Sequence, residues 1–190
     1  MLFTRYLFGL VLLLSVGAYA ESTDKKRDFG LYVGAGIGGI SVDAEDAFSK
    51  DVRFTGGEVF GGVYWRWIGI ETRKGKGLED ENIKIGETPV TGVPILAKTS
   101  IENYTSLYLR LQLENDIARI YALLGSSRIN TLSVFDDGEI VEASTSGNSY
   151  GIGAGVYINP RMNLNLEAKY LLNSEADTFL MTGFNIDFRF

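Results

Sequence analysis

Charged side chains stand at every second position in several apolar segments of this 190-residue chain. Arg110 lies between two leucines, and Glu167 and Lys169 flank an alanine. Side chains two residues apart share one face of a β-strand, so these segments are predicted to have one apolar and one charged face. Acidic and basic groups that share a face of neighbouring strands can form ion pairs, and this is the chemistry that the charged positions favour.

Histidine and cysteine are both absent. Without histidine the chain lacks the commonest general base and metal ligand, which excludes every Ser–His and Asp–His hydrolase arrangement. Without cysteine it can form neither a disulfide framework nor a thiolate metal site. We therefore predict no catalytic, cofactor-binding or metal-binding residues and interpret the chain as non-enzymatic.

One glycine motif matches a dinucleotide fingerprint. Residues Gly34 to Gly39 follow the pattern G-x-G-x-x-G, which binds a pyrophosphate only at the turn between a strand and a helix. Here the glycines lie inside a period-two segment that no helical pattern follows. We interpret them instead as positions that leave room for large side chains of other strands.

The amino-terminal residues carry the signals of secretion. Arg5 precedes the apolar segment Leu7–Val16, and an A-x-A cleavage site ends at Ala20. This pattern predicts a signal peptide, whose apolar core of about ten residues is too short to span a bilayer. The predicted organisation is a signal peptide over residues 1–20, a flexible lead-in over 21–28 and one β-domain over 29–190.

The mature chain is acidic. Loss of Arg5 with the signal peptide leaves 17 of the 18 Lys and Arg residues against 24 Asp and Glu, a net charge of −7. This acidity argues against nucleic acid as a partner. No run of eighteen apolar residues follows the signal peptide, so no transmembrane helix is predicted and any membrane role must come from strands.

Eight segments of the β-domain alternate between apolar and polar residues. In the last one, Phe184, Ile186, Phe188 and Phe190 alternate with small, polar or charged residues. In a soluble sheet these apolar side chains would face a core, whereas in a transmembrane barrel they would face lipid. Periodicity alone leaves both environments open. The eight segments are 29–38, 54–65, 68–73, 107–113, 118–124, 150–158, 162–171 and 180–190.

The connections between these segments favour a transmembrane barrel. Those after the first, third and fifth segments are long and that after the seventh is modest, whereas the other three are short turns. Short periplasmic turns and longer external loops are typical of outer-membrane barrels. Both chain ends are therefore predicted to be periplasmic. The predicted external segments are 43–52, 74–100, 126–146 and 173–177.

Two of the external segments differ in their predicted structure. Residues 74–98 contain an acidic cluster and two prolines and show no period, so a long polar loop is expected. Around Gly138, an Asp-Gly pair separates two β-prone runs, which is a strong hairpin signal. The fifth and sixth strands are therefore expected to continue as a ribbon beyond the barrel.

The glycine-rich first and sixth strands, the Asn159-Pro160-Arg161 turn and the terminal Phe188-Arg189-Phe190 resemble eight-stranded outer-membrane proteins of the OmpA-like and opacity-protein group. The resemblance covers residues 29–190. It implies an all-β fold, an eight-stranded antiparallel up-and-down transmembrane β-barrel, in the outer membrane of a Gram-negative bacterium. It also implies insertion by the barrel-assembly machinery. Phe188 and Phe190 match the family's terminal assembly signal, although Asn185 stands where glycine is most common.

Several functions are compatible with such a barrel. The first is a non-catalytic, structural or surface-interaction role through external loops, in a monomer whose partners are outer-membrane lipids, lipopolysaccharide and an unidentified external ligand. The alternatives are an adhesin-type barrel, a soluble periplasmic lipocalin-like barrel and a small-solute pore, which is disfavoured because side chains fill an eight-stranded lumen. The loop carboxylates are interpreted as a solvated surface or as weak bridges to lipopolysaccharide through divalent cations.

If apolar side chains face lipid, the charged faces point into the lumen. The alternation then sends four acidic and five basic residues inward, a near balance that a buried, paired network requires. For Arg73 and Arg189, a strand-end position in water is an equally good interpretation. The residues predicted to form a mid-barrel ionic network that closes the lumen are Glu58, Glu71, Arg110, Arg119, Glu167 and Lys169.

Overall fold

A computed structural model describes residues 29–44, 52–87, 94–135, 137–173 and 177–190. The predicted signal peptide and lead-in lie outside the described residues. Within the described part of the chain, no helix is long and apolar enough to cross a membrane. The nine described strands are β1 (Phe29–Ala44), β2 (Val52–Trp65), β3 (Ile68–Gly77), β4 (Glu81–Glu87), β5 (Pro94–Glu114), β6 (Ala118–Phe135), β7 (Ile140–Asn159), β8 (Met162–Asn173) and β9 (Asp177–Arg189).

Eight of these strands close into a barrel. The hydrogen-bonded order is β3-β2-β1-β9-β8-β7-β6-β5-β4, and β3 also pairs with β5, which leaves β4 outside the ring. The predicted eight-stranded antiparallel barrel is therefore confirmed. A path that starts at Arg128 of β6 and passes from each residue to its cross-strand partner returns to β6 after one turn of the ring. It arrives at Ala118, which is a shift of ten residues (128 to 118). This stagger tilts the strands and sets the width of the lumen.

Side chains along the barrel strands alternate between the lumen and the outer wall. On β5, Leu107 is 57% exposed, whereas the adjacent Tyr108 is 1% exposed. Large apolar side chains are exposed on every barrel strand, among them Leu31, Val59 and Ile70. A continuous apolar wall of this kind would be unfavourable in water, but it suits contact with lipid.

Three short turns lie at the barrel end that also holds Phe29 and Phe190. In the β2–β3 turn, Arg66 adopts the left-handed conformation with a φ of 55°. Asn115 and Asn159 close the other two turns, because the side-chain oxygen of each accepts hydrogen bonds of 2.8 to 2.9 Å from two backbone N–H groups. The longer connections lie at the opposite end, so the predicted sorting of loop lengths is confirmed.

The prediction of a long polar loop over residues 74–98 is wrong. β3 continues to Gly77, β4 occupies Glu81–Glu87, and β5 begins at Pro94 and pairs with β4. The sheet here extends beyond the last paired residues of β3. The alternation of Ile83 and Ile85 with their neighbours is too short to stand out beside the acidic cluster and the two prolines, so the sequence pattern does not reveal β4.

The predicted β6–β7 ribbon is confirmed. β6 and β7 stay paired from Ala118 and Val156 at the short-turn end to Val134 and Ile140 near the tip. At the tip, Gly138 has a φ of 86°, a conformation that glycine adopts without strain. Together with β4 and the start of β5, this ribbon forms a four-stranded sheet beyond the barrel.

Glycines on the inner wall face large rings of neighbouring strands, as expected from the sequence. Gly34 pairs with Phe60, and Tyr32 pairs with Gly62. A Cβ atom at Gly34 would overlap the phenyl ring of Phe60. Gly34 to Gly39 lie within β1 rather than at a strand–helix turn, so they do not have the geometry of a dinucleotide site.

Candidate functional site

Arg73 of β3 lies in the middle of the lumen and contacts three carboxylates. Its Nε donates to Oε1 of Glu71 at 2.6 Å, and its Nη1 donates to Oε1 of Glu58 at 2.6 Å. Nη1 and Nη2 together donate to the two oxygens of Glu167 at 2.6 and 2.8 Å. Such a two-point contact suits the planar guanidinium group. Because these partners lie on β2, β3 and β8, Arg73 connects opposite parts of the wall across the lumen.

Two further cations complete the set of charges around Arg73. Lys169 Nζ donates to Glu58 at 2.5 Å and to Glu167 at 2.8 Å. Arg110 Nη1 donates to Oε2 of Glu71 at 2.6 Å. All of these residues are buried, and three acids are matched by three bases. We call Glu58, Glu71, Arg73, Arg110, Glu167 and Lys169 the ionic cluster.

Each carboxylate of the ionic cluster also accepts a hydrogen bond from a tyrosine. Tyr32 donates to Glu71 at 2.6 Å, Tyr121 donates to Glu167 at 2.7 Å, and Tyr104 donates to Glu58 at 3.1 Å. The rings also stack on the cations, since the Arg110 guanidinium carbon lies 3.8 Å from the centroid of the Tyr121 ring. These contacts offset the cost of removing the charges from water.

Arg119 departs from the predicted network, because it does not contact the carboxylates of the ionic cluster. It pairs with buried Asp187 instead, and its Nε donates to Oδ1 of Asn165 at 3.0 Å. Asn165 donates to Asn185 at 2.8 Å, which in turn donates to Glu167 at 3.4 Å. Hydrogen-bonded amides therefore separate the Arg119–Asp187 pair from the ionic cluster.

The structure brings the other five predicted residues together and adds Arg73. The strand-end interpretation of Arg73 is wrong, because β3 continues four residues past it to Gly77. For Arg189 that interpretation agrees better with the structure: its Nη2 donates to Glu114 at 2.8 Å, and the two side chains are 12% and 18% exposed. The alternation with Glu71 already places Arg73 on the charged face, and only the predicted strand end at residue 73 kept it out of the predicted network.

An apolar layer lies inside the lumen at the end of the longer connections. A register shift on β8 between Tyr170 and Leu172 turns both Leu171 and Leu172 inward. Tyr104 belongs to this layer and also reaches Glu58, so the apolar layer rests directly on the ionic cluster. The apolar layer consists of Ile40, Val42, Phe54, Ile101, Tyr104, Ile129, Leu171, Leu172, Phe179 and Met181, all at most 8% exposed.

Among the described residues, no group of three or more carboxylates could hold a metal ion. The ionic cluster contains as many cations as anions, so it has no excess charge with which to attract a further ion. Its geometry is therefore that of a charge-balanced network buried inside the barrel.

The sequence matches the family model for the outer membrane protein β-barrel domain over residues 7–190. The chain belongs to this family. A comparison with curated protein sequences finds no significant match. For a member of an outer-membrane family, the exposed apolar wall is the surface that meets the lipid of the outer membrane of a Gram-negative bacterium.

Solved structures of other outer-membrane barrels share the fold. The attachment invasion locus protein Ail of Yersinia pestis, in complex with the heparin analogue sucrose octasulfate, is 14% identical, with 86% of this chain and all of that chain covered and a TM-score of 0.62. Neisserial surface protein A is 10% identical, with 84% and 97% covered and a TM-score of 0.58. The N-terminal β-barrel domain of Pseudomonas aeruginosa OprF is 16% identical, with 83% and 97% covered and a TM-score of 0.52. At these identities the likeness concerns the fold.

Proposed function

We propose that this outer-membrane barrel is non-catalytic and closed to solutes, and that it acts through the segments outside the membrane. The observation that carries the proposal is the set of contacts of Arg73 with Glu58, Glu71 and Glu167 across the lumen. A solute would have to separate these buried charges, and each unpaired charge costs several kcal/mol in so narrow an interior. The apolar layer is a second barrier in series with the first.

Planar-bilayer conductance of the purified protein tests the closed lumen. We expect wild type to show a conductance near zero. Arg110→Ala alone leaves the apolar layer in place, so this variant should stay closed. Arg110→Ala combined with Phe54→Ala and Ile101→Ala removes side-chain volume from both the ionic cluster and the apolar layer, so the triple variant should conduct.

The matched control for that experiment removes the same kind of bulk from the lipid-facing wall. Leu109→Ala combined with Val59→Ala and Ile70→Ala should stay closed, because these side chains are exposed outside the barrel. A large, steady open state of the wild-type protein would refute the proposal.

We also propose that Phe188 and Phe190 form the signal by which the barrel-assembly machinery recognises this monomer, after removal of residues 1–20. In support, the backbone N–H of Phe190 donates to the carbonyl of Leu31 at 3.0 Å, so the last residue lies at the seam where β9 meets β1. Phe190→Ser should lower the amount of heat-modifiable protein in the outer membrane. Unchanged amounts would contradict this role.

An adhesin-type function is the second candidate. Residues 140 to 147 of β7 pair with β6 but with no other described strand, so this part of the external sheet has an open edge. An open edge can bind an extended segment of another protein through backbone hydrogen bonds. Ail, which shares the fold, is by name an attachment protein. Bacteria that carry a version with residues 131–143 replaced by a short Gly-Ser turn should then attach less to host cells than those with the full ribbon.

The orientation that both functions require can be tested directly. A cysteine at Gly138 should react with an impermeant thiol reagent on whole cells, whereas a cysteine at Asn115 should not. The reverse result would place the four-stranded sheet in the periplasm.

A further inference from the structure

The apolar outer wall of β3, β5, β6 and β7 ends abruptly toward the four-stranded sheet. Cross-strand partners on this wall define successive rows, because each outward residue pairs with an outward residue of the next strand. The first row is entirely apolar, the second is mixed and the third is entirely polar. The rows are Ile70, Leu109, Leu124 and Tyr150; then Thr72, Leu107, Ser126 and Asn148; then Lys74, Thr105, Arg128 and Ser146.

Cations occupy the outward positions at this boundary. Lys74, Lys76 and Arg128 are all exposed on the outer wall, and we call them the basic boundary. Lys74 and Arg128 lie on strands separated only by β5, which places their backbones about 10 Å apart, and Lys74 and Lys76 are about 7 Å apart along β3. Arg128 is held along the wall, because its Nε donates to Oγ of Ser146 at 3.0 Å.

The described carboxylates near the basic boundary do not pair with its lysines. Glu102, at the bulge of β5, is the one carboxylate among the described outward positions of β3, β5 and β6. Beyond the end of β3, Glu79 accepts a hydrogen bond from Thr55 at 3.0 Å, and Asp80 and Glu81 follow it. No ion pair joins any described carboxylate to Lys74 or Lys76. By contrast, Lys98, which lies farther out on β5, pairs with Asp80 at 2.8 Å. The cations of the basic boundary are therefore available to an anion outside the protein.

The cationic surface covers one side of the barrel. Near the same end of the wall, β1 and β9 present hydroxyl or apolar side chains such as Ser41, Thr178 and Leu180. Toward β2, Arg53 adds a further exposed cation beyond the basic boundary. A charge ring that only marked the depth of the membrane would surround the barrel, whereas a one-sided group is expected of a site for a single anionic molecule.

We propose that the basic boundary binds the phosphate groups of one lipopolysaccharide molecule in the outer leaflet, with the acyl chains lying on the apolar rows below. The cations lie next to the end of the apolar wall, so a lipid whose acyl chains lie on that wall would bring its headgroup to them. Lysine supplies a compact charge and arginine a two-point contact for phosphate. The inference rests on the orientation in the proposed function, in which the four-stranded sheet is external.

Native mass spectrometry of the folded, full-length mature protein in a zwitterionic detergent tests the site. The probes are lipid A with both phosphates, dephosphorylated lipid A and phosphatidylglycerol. Wild type should bind phosphorylated lipid A at least 10-fold more tightly than either of the others. In Lys74→Gln/Lys76→Gln/Arg128→Gln the affinity should fall on the order of 100-fold, because each cation near an anionic lipid contributes roughly fivefold.

Three variants serve as controls. Arg66→Gln/Lys98→Gln/Arg161→Gln loses the same charge elsewhere and should bind as wild type does. Lys74→Arg/Lys76→Arg/Arg128→Lys keeps the charge and should bind within a few fold of wild type. Glu102→Gln removes the neighbouring acid and should bind a few fold more tightly. A heat-modifiable gel shift establishes that each variant is folded.

The outcomes separate this site from the proposed function. Unchanged lipid A binding in Lys74→Gln/Lys76→Gln/Arg128→Gln overturns the site. An equal loss of binding in Arg66→Gln/Lys98→Gln/Arg161→Gln overturns it as well. Equal binding of phosphatidylglycerol overturns lipopolysaccharide as its occupant. Each of these results leaves the conductance of the closed lumen untouched. Cysteine labelling at Asn115 instead of Gly138 would overturn the orientation, and with it this site and the external role of the four-stranded sheet, whereas the closed lumen would stand.

Discussion

The ionic cluster and the apolar layer fill the same lumen by different means. Around Arg73, filling depends on directed contacts, in which every carboxylate has both a cation and a tyrosine donor. In the apolar layer, side chains such as Ile40 and Ile129 pack without directional bonds. The loss of one partner therefore has different consequences. In the first region it leaves a buried charge, and in the second it leaves a cavity.

The largest effect should come from Arg73→Met, which keeps most of the volume but removes the charge shared by three carboxylates. Breaking a buried pair by removing one partner costs about 3 to 5 kcal/mol. We expect the free energy of unfolding to fall by about this amount. Urea unfolding of the protein in lipid vesicles, followed by the fluorescence of Trp65 and Trp67, measures it.

The control for Arg73 is Arg189→Met, at the partly exposed pair with Glu114. Water can solvate the carboxylate that remains, so the loss should be less than about half of that for Arg73. Equal losses of unfolding free energy in the two variants would show that the ionic cluster stabilises the barrel no more than the partly exposed Arg189–Glu114 pair does.

A smaller effect is expected in the apolar layer. Ile129→Ala removes a side chain that is 1% exposed and should cost about 3 to 4 kcal/mol, part of which is the cavity left behind. The matched control on the same strand is Ile120→Ala, where the side chain is 58% exposed on the lipid-facing wall. Lipid chains can fill that space, so we expect a loss of about 2 kcal/mol. The same unfolding measurement would contradict this contrast if the two variants lost equal stability.

The smallest effect should come from the exposed pair between Lys98 and Asp80, whose side chains are 60% and 47% exposed. Exposed ion pairs contribute about 0.2 to 1 kcal/mol and are screened by salt. A double-mutant cycle with Lys98→Ala and Asp80→Ala, measured at low and high salt, should give a coupling energy in that range. A coupling as large as that of the ionic cluster would mean that burial does not govern the strength of ion pairs in this protein.

Sequence alternation predicts the ionic cluster because the lumen-facing side chains are charged there and the lipid-facing side chains are apolar. Glu58 and Glu167 could be placed inward from their strands alone, and the eight strands of the barrel follow from the same pattern. Alternation could not predict which charges touch, because partners lie on strands far apart in sequence. For this reason the sequence places Arg119 in the network, although it pairs with Asp187. Arg73 stays outside the predicted network for another reason, because the alternation ends at residue 73 and suggests the end of a strand.

The sequence pattern predicts the β6–β7 ribbon of the external sheet, but it predicts neither the apolar layer nor β4 and the start of β5. In the apolar layer, inward positions such as Ile40 and Phe54 carry side chains like those that face lipid, and the register shift near Leu172 interrupts the alternation. In β4, Ile83 and Ile85 alternate with their neighbours over only a few residues, and the acidic cluster and prolines nearby obscure so short a pattern. Where inward and outward side chains are alike, the sequence pattern carries no information about orientation.

The paired glycines and rings of β1 and β2 constrain how this barrel can change over evolutionary time. Three cross-strand pairs follow one another along the inner wall: Gly30 with Tyr64, Tyr32 with Gly62, and Gly34 with Phe60. A side chain larger than hydrogen at Gly30 would overlap the ring of Tyr64 and requires a smaller residue at position 64, whereas at Gly34 and Gly62 backbone carbonyls of the other neighbouring strand also lie too close for a Cβ atom. Viable descendants of this sequence should therefore alter positions 30 and 64 together, and the glycines at 34 and 62 should be inherited unchanged.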